Sequence, residues 1–352
     1  MKLHAQFRLN GKAYSNDSLL AEAKEWQNSN DNDQKYLGIF LEDWLNESDT
    51  IMVHTSGSTG VPKPLLVSKT SMQTSAMRTA DFFELSPGNT ALLCLPVRYI
   101  AGKMMVVRAM VIGLVLDITP PKTTPQLQGK KYDFAALIPL QAKASFELLE
   151  NLKTVLIGGA PIPIELRKAL AKKHPHCVET YGMTETLTHV ATRRISYPAI
   201  PFQVMPNVEL SLDSDGCLVL TIPYISEHPI ITNDVVELKG KRSFHLLGRR
   251  DFVINSGGKK IFPEQLEEKL SLVFEIPFFF AGIPDKKLGE QLVLVLESDT
   301  KNKMHYLEIA TKILSTDKHH LPKEVFCLDA FLYTKTGKLD RTATLKKVFE
   351  KY

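Results

Sequence analysis

The sequence predicts an α/β fold: a large N-terminal α/β domain with a β-rich end, then a small α+β C-terminal domain. Three observations carry this. Between Thr50 and Ile157, short apolar runs alternate with helical patterns, which indicates a largely parallel sheet. From Val208 the helical patterns give way to short β segments separated by Asp/Gly turns. After Leu247-Gly248-Arg249-Arg250-Asp251 the pattern starts afresh. The domains are therefore placed at 1–247 and 252–352, with 248–251 joining them.

In chain order, Leu19 to Trp26 reads as an amphipathic helix and Asn28 to Asp33 as a polar loop. Thr50–Val53 is a short apolar strand running into the Ser/Gly-rich loop Thr55–Gly60, and Ser68–Phe83 has helical character. Further apolar strands are expected at Ala91–Leu95, Leu114–Ile118, Ala135–Ile138 and Val155–Ile157. A helix over Ala101–Val115 would place Arg108 in line with Met104, Met105, Val111 and Ile112. Val208–Leu212, Cys217–Ile222 and Asp234–Leu238 supply the β-rich end. The second domain should open with a strand at Phe252–Asn255, a Gly257-Gly258 turn, and a helix begun by Pro263 with Glu264 in its first turn. Strands at Phe278–Gly282 and Gln291–Glu297 and a helix at Met304–Ile313 complete it.

Charge and composition exclude several classes. A net charge of +4, from 43 basic and 39 acidic side chains, is too balanced for a nucleic-acid surface. The start, MKLHAQFRLNGKAY, has no apolar h-region. The longest apolar run, Met104 to Ile118, is broken by Arg108 and too short to span a bilayer, so a cytoplasmic enzyme is expected. Cys94, Cys177, Cys217 and Cys327 form no C-x-x-C pair and read as reduced core residues. In His174-Pro175-His176-Cys177 three potential ligands crowd around a proline and cannot converge on one tetrahedral ion. That segment is read as a surface loop after a helix.

The strongest motif is Thr55-Ser56-Gly57-Ser58-Thr59-Gly60-Val61-Pro62-Lys63. Its glycines let the backbone approach an anion, its hydroxyls and amides can donate to phosphate oxygens, and Lys63 adds a cation. It is not a Walker A loop, because Lys63 follows a proline and no Ser or Thr succeeds it.

This segment resembles the phosphate loop of the adenylate-forming superfamily, which contains acyl-CoA synthetases, peptide-synthetase adenylation domains and luciferases. Five further segments match in the same order: Gly158-Gly159-Ala160, Tyr181-Gly182-Met183-Thr184-Glu185, Asp234, Gly248-Arg249-Arg250-Asp251, and Thr336-Gly337-Lys338-Leu339-Asp340-Arg341. The resemblance implies an ATP-dependent ligase that forms an acyl-adenylate and then a thioester. It assigns the adenine-contacting turn to Gly158–Ala160, the adenine and acyl pockets to Tyr181–Glu185, the ribose hydroxyls to Asp234, with Arg249 supporting that region, a hinge to Asp251, and catalysis to Lys338. It also implies that Ser256, Gly257 and Gly258 face the pantetheine arm of CoA.

The residue types suit the chemistry. A carboxylate attacking the α-phosphate of ATP brings anion to anion, so cations and donors are needed where charge develops. Lys338 fits between the two; taken alone it would read as a solvated tail lysine. Glu185, with Thr184 beside it, suits Mg²⁺, a hard ion that shares its sphere with phosphates. Asp234 is acceptor-only, which suits ribose hydroxyls. The chain departs from the family pattern at Asn255, where many members carry lysine, and at Thr232-Asn233 before the ribose aspartate. Only 54 residues precede the phosphate loop, so part of the first subdomain is expected to be missing or minimised.

The short form, with Leu95–Lys103 and Ile157–Pro163, is similar to the o-succinylbenzoate–CoA ligases of menaquinone biosynthesis. That resemblance groups Arg108, Ile100, Gly102, Gly159 and Gly182 around the acid. Arg108 supports an acidic substrate independently, since an arginine in an apolar stripe needs an anionic partner. A second substrate carboxylate or an internal protein carboxylate would serve. The implied ligands are ATP, Mg²⁺, CoA and a carboxylic acid; a homo-oligomer stays open. Another acid–CoA ligase, a stand-alone adenylation domain and a non-catalytic nucleotide-binding protein are the other readings.

Overall fold

In a computed structural model of the protein, residues 2–54, 63–299, 302–333 and 339–351 are described. The chain divides into two compact units, Met1–Ile162 with Leu166–Glu209 and Thr221–Ile230, and Pro163–Glu165 with Leu210–Leu220 and Ile231–Tyr352.

The first unit opens with strands β1 (Arg8–Leu9) and β2 (Lys12–Ala13) and helices α1 (Asn16–Trp26) and α2 (Asn32–Leu45). Ser15 caps α1 by accepting from Ser18 N at 3.2 Å. Asp31 caps α2 by accepting from Asp33 N and Gln34 N. The polar stretch expected to remain a loop through Asp33 is therefore helical from Asn32, because the Asp31 carboxylate satisfies amides that would otherwise be orphaned. A hairpin of β3 (Thr50–His54) and β4 (Pro64–Ser68) pairs His54 with Pro64 and leads into α3 (Lys69–Phe83). There follow β5 (Thr90–Leu93), α4 (Ile100–Ile112), β6 (Val115–Ile118), β7 (Tyr132–Leu137), α5 (Pro139–Ala144), β8 (Leu152–Ile157), α6 (Ile164–Lys173), β9 (Cys177–Gly182), β10 (His189–Arg194) and β11 (Phe202–Val204).

These strands lie in the order β11-β10-β9-β8-β7-β5-β6-β1-β2, and every pairing from β9 to β1 is parallel. The order reverses beside β5: the next strand, β6, lies on one side of it and β7 on the other. Such a reversal opens a crevice at the carboxyl ends of the strands. The segments that follow β5, β7, β8 and β9 emerge there. Alternation along β5 sends Ala91, Leu93 and Leu95 toward Leu41, Trp44 and Met72, and sends Leu92 and Cys94 toward Leu149 and Leu170.

Helix α4 is buried continuously from Gly102 to Met110, so Arg108 lies inside an apolar wall and not along one stripe. The helix stops short of the expected Val115 because Gly113 caps it in the left-handed conformation, φ 89°. His174 corrects a second expectation. It is only 1% exposed, its ring edge-on to Phe146 at 4.6 Å, and Cys177 opens β9, so the loop after α6 is anchored in the core at both ends while Pro175 is exposed at its turn. All four cysteines are buried and none is in a disulfide. Among the described residues no helix is long and apolar enough to cross a membrane.

The second unit takes in β12 (Glu209–Leu212), β13 (Cys217–Thr221) and β14 (Ile230–Leu238), except for their end residues Glu209, Thr221 and Ile230, and all of β15 (Ser243–Arg249), with β14 and β15 antiparallel and Asp234 opposite Arg249. A 3₁₀ turn, Arg250–Phe252, closed by Val253 N donating to Arg250 O at 3.2 Å, takes the place of the strand start expected at Phe252. The strand is β16 (Ile254–Ser256), followed by β17 (Lys259–Ile261), α7 (Pro263–Leu270), β18 (Phe278–Asp285), β19 (Gly289–Glu297), α8 (Lys303–Leu314), β20 (Glu324–Leu328) and α9 (Arg341–Lys351). Period-two alternation again sorts two faces: Leu294, Leu296 and Phe280 pack with Leu266 and Leu314, while Val295 and Phe279 pack with Phe331 and Val348.

Candidate active site

In the first unit, the carboxyl ends of neighbouring parallel strands carry most of the described residues singled out by sequence there. Strand β8 delivers Gly158, Gly159 and Ala160. A Cβ on Gly158 would fall 2.3 Å from Thr180 Oγ1, and Gly159 has φ +82°, so both positions exclude a side chain for different reasons. Strand β9 delivers Tyr181 and Gly182. Tyr181 is buried, its ring centre 5.9 Å from that of Phe202, and a Cβ on Gly182 would stand 2.2 Å from Thr188 O.

The turn after β9 is held by a residue the sequence reading missed. Thr186 Oγ1 accepts from Met183 N at 2.9 Å and lies 2.8 Å from Thr188 O, while Leu187 N donates to Thr184 O at 3.0 Å. Thr184 is thereby buried and Glu185 left exposed at the tip. Leu187 sits buried at φ 62°, a costly conformation for a branched side chain that this network enforces.

Helix α4 begins at Ile100 directly beyond β5. Gly102 is buried, and a Cβ there would lie 2.4 Å from Pro96 O, so the glycine lets the helix start pack on the preceding loop. Two turns on, Arg108 is 1% exposed. Its Nη2 donates to Thr188 Oγ1 at 2.6 Å and its Nε to Thr79 Oγ1 at 3.3 Å. Among the described residues no carboxylate pairs with it, and burial pushes the guanidinium down to about 9, still charged at neutral pH. Thr188 also lies 3.2 Å from His189 Nδ1. His189 is held well below the usual imidazole range by burial and then by the charge of Arg108, and its Nε2 is buried with no hydrogen-bond partner. Neutral His189, Thr188 and Thr79 thus surround a buried cation with dipoles and no counter-charge. An internal carboxylate partner, left open by the sequence, is not found among the described residues.

Thr55, Ser56, Gly57, Ser58, Thr59 and Gly60 lie outside the described residues, as does Lys338. Lys63 is exposed immediately before β4. Leu339 pairs across an isolated antiparallel bridge with Tyr333.

In the second unit Asp234 is buried on β14, and Arg249 of the paired strand places Nη1 3.3 Å from its Oδ1. Arg249 Nη2 also lies 3.6 Å from Asp251 Oδ2, which accepts from Asn233 Nδ2 at 3.2 Å. Ser256 is buried, whereas Gly257 and Gly258 are exposed at φ 57° and 79°.

Residues 7–219 match the family described as AMP-binding enzyme. The chain belongs to that family. Among solved structures this AMP-binding enzyme is similar to an acyl-CoA synthetase (AMP-forming)/AMP-acid ligase II-like protein from Dyadobacter fermentans, at 34% identity, TM-score 0.60, covering 93% of this chain and 97% of that one. It shares its fold with the o-succinylbenzoate CoA synthetase of Bacillus subtilis bound to its acyl-adenylate, at 21% identity and TM-score 0.73, covering 84% of this chain and 68% of that one. In sequence it is 25% identical to the 2-succinylbenzoate–CoA ligase of Bacillus cytotoxicus, over 91% of this chain and 75% of the relative. It is 26% identical to the probable 2-succinylbenzoate–CoA ligase of Mycobacterium tuberculosis, over 86% of this chain and 85% of that protein. The protein is an AMP-forming acid–CoA ligase that uses ATP.

Proposed function

We propose that the acid is 2-succinylbenzoate, with Arg108 reading the carboxylate that is not activated. The observation that carries this is a fully buried guanidinium whose hydrogen bonds go to threonine hydroxyls and not to an acid. A buried cation without a counter-ion is costly, and a substrate carboxylate would offset that cost on binding. The names of the B. cytotoxicus and M. tuberculosis relatives point to the same acid.

The remaining roles belong to the same proposal. Lys63, with the hydroxyls and amides of residues 55–60, holds phosphates. Gly158, Gly159 and Ala160 leave room for the adenine, which Tyr181 and Met183 flank. Asp234 accepts from the ribose hydroxyls, steadied by Arg249. Lys338 bridges the attacking carboxylate and the α-phosphate. Ile100, Gly102, Gly159 and Gly182 shape the acid pocket. Thr184 is buried beneath Glu185, and Glu185 presents exposed carboxylate oxygens, the donor type Mg²⁺ prefers, so it would hold the ion that accompanies ATP and offsets phosphate charge. Ser256, Gly257 and Gly258 face the thiol arm of CoA.

The test is Arg108→Ala. Removing one charge-assisted contact in a desolvated pocket should cost about 2–5 kcal/mol for an acid with a second carboxylate. Monocarboxylic acids and ATP should bind as before. Equal weakening of mono- and dicarboxylic acids would make Arg108 structural and remove the support for this acid.

A further inference from the structure

A second cleft opens in the first unit, lined by none of the residues assigned above. It holds about 380 Å³ and is bounded by Asn32, Asp33, Tyr36, Pro96, Arg98 and Pro121. That volume lies within the range of small-molecule sites, about 300–1,000 Å³. Three segments wall it: the start of α2, the loop after β5 and the loop after β6. Each wall is fixed. Asp31 caps α2. Tyr99 N donates to Pro96 O at 3.2 Å, which turns the β5 loop tightly into α4. Gln141 Nε2 donates to Cys94 O at 2.8 Å and to Lys122 O at 3.0 Å, tying the loops after β5 and β6 together. A cleft that is already ordered loses little entropy when a ligand enters.

The lining carries one charge of each sign. Arg98 is exposed, its guanidinium 4.6 Å from the Tyr99 ring centre. Asp33 is half-buried. Its carboxyl is held above the usual carboxylate range by burial foremost and then by Asp31, while Arg98 pulls it the other way. The two groups therefore sense each other. Yet among the described residues neither side chain makes an ion pair or a hydrogen bond, so the capacity of both is open to a ligand. Tyr36, 41% exposed, and the two prolines add apolar surface to the same cleft.

We propose that this cleft binds an aromatic α-amino acid as its zwitterion, and that the occupant tunes the acid pocket through the loop between β5 and α4. The ligand carboxylate meets the Arg98 guanidinium, whose parallel N–H groups suit a bidentate contact. Its ammonium meets Asp33, and its ring lies on Tyr36 and the prolines. Both charges of the ligand are then paired, as those of a simple carboxylic acid or amine and the cleft together could not be. The loop that carries Arg98 runs directly into Ile100 and Gly102, where a Gly102 Cβ would lie only 2.4 Å from Pro96 O. Restraining Arg98 therefore bears on the start of α4. The binding site stands on the cleft alone; only its effect rests on the acid pocket proposed above.

The experiment titrates the whole chain with L-phenylalanine by calorimetry. L-Alanine, 3-phenylpropanoate and 2-phenylethylamine serve as probes that lack the ring, the ammonium and the carboxylate. L-Phenylalanine should bind at least about tenfold more tightly than any of the three. Arg98→Gln and Asp33→Asn should each weaken it about tenfold or more, with Tm and basal ATP–pyrophosphate exchange unchanged. Asp33→Asn should also lose the preference over 3-phenylpropanoate, and Arg98→Gln the preference over 2-phenylethylamine. Saturating L-phenylalanine should change KM for the acid by about fivefold or more in the wild type and not in either variant. No binding of L-phenylalanine up to about 10 mM, or equal binding of the three probes, would overturn the site. Wild-type affinity in both variants would also overturn it, since the ligand would then sit elsewhere. Binding that leaves KM unchanged for every acid would overturn the coupling through the loop. The calorimetry needs no turnover, so its outcome is independent of which acid the enzyme activates.

Discussion

Arg108 shows how one buried charge can report a substrate. Its surroundings were half legible from sequence: an arginine inside Met104–Ile112 had to be buried or paired. Its partners were not legible, because Thr79 lies 29 positions earlier and Thr188 lies 80 later, and neither belongs to a recognisable spacing. His189 adds a pH signature. An imidazole kept neutral in the folded protein and free to protonate near 6.5 when unfolded makes no difference above that pH. As pH falls, the unfolded state binds a proton that the folded state refuses, so stability declines by about 1.4 kcal/mol per unit. Between pH 7.5 and pH 5 His189 should remove about 2 kcal/mol, and His189→Gln should recover that share in urea unfolding. Buried His174, lowered likewise, keeps its own contribution. An acid limb of unchanged slope in the variant would place His189 in contact with water.

Elements decide where the site residues stand. Strand β3, the parallel strands β5 to β8 and the Pro263 helix were legible, since short apolar runs and an N-terminal proline survive any tertiary context, whereas β1, β4 and β9 were not read as strands. Helix α2 was not: its Asp31 cap looked like loop chemistry, and its buried Phe40, Leu41 and Trp44 declare a helix only once the rest of the core surrounds them. Gly102 and Gly182 were read as pocket residues, and the geometry gives each a packing reason as well. Because a Gly102 Cβ would lie 2.4 Å from a backbone oxygen, Gly102→Ala must shift the start of α4. Such overpacking costs about 1–3 kcal/mol. The expected outcome is a lower Tm together with a raised KM for the acid and an unchanged KM for ATP. A variant with wild-type Tm would show that the loop at Pro96 yields freely.

At the scale of the whole molecule, the chain must perform two reactions with one set of residues. Lys338 at the α-phosphate and a thiol arriving along the same path are hard to reconcile in one pose, so we keep the proposal that the backbone at Asp251 adopts two conformations. Asp251 is exposed in a single 3₁₀ turn between β15 and β16 and carries contacts only of side-chain type to Asn233 and Arg249 among those described. Hinges are element-terminal residues of this kind that absorb a large φ/ψ change. Proline would fix φ near −65°. Asp251→Pro should therefore form acyl-adenylate at the wild-type rate and transfer it to CoA at least about tenfold more slowly, with folding intact. An unchanged transfer rate would remove Asp251 as the hinge. The sequence could announce two reactions through its ordered motifs, but the bounds of the compact units depend on contacts. Glu264, for example, accepts from Arg249 N at 3.1 Å and ties α7 to β15, a link that no motif displays.

The most direct measurement is acid-dependent ATP–pyrophosphate exchange by the wild-type protein, with 2-succinylbenzoate set against benzoate and a straight-chain monocarboxylic acid of similar size. If Arg108 meets a second carboxylate, kcat/KM for 2-succinylbenzoate should exceed the others by about thirtyfold or more, the equivalent of the lower bound of about 2 kcal/mol for such a contact. Equal or faster exchange with the monocarboxylic acids would contradict the account, leaving an acid–CoA ligase whose buried arginine serves the fold and not the substrate.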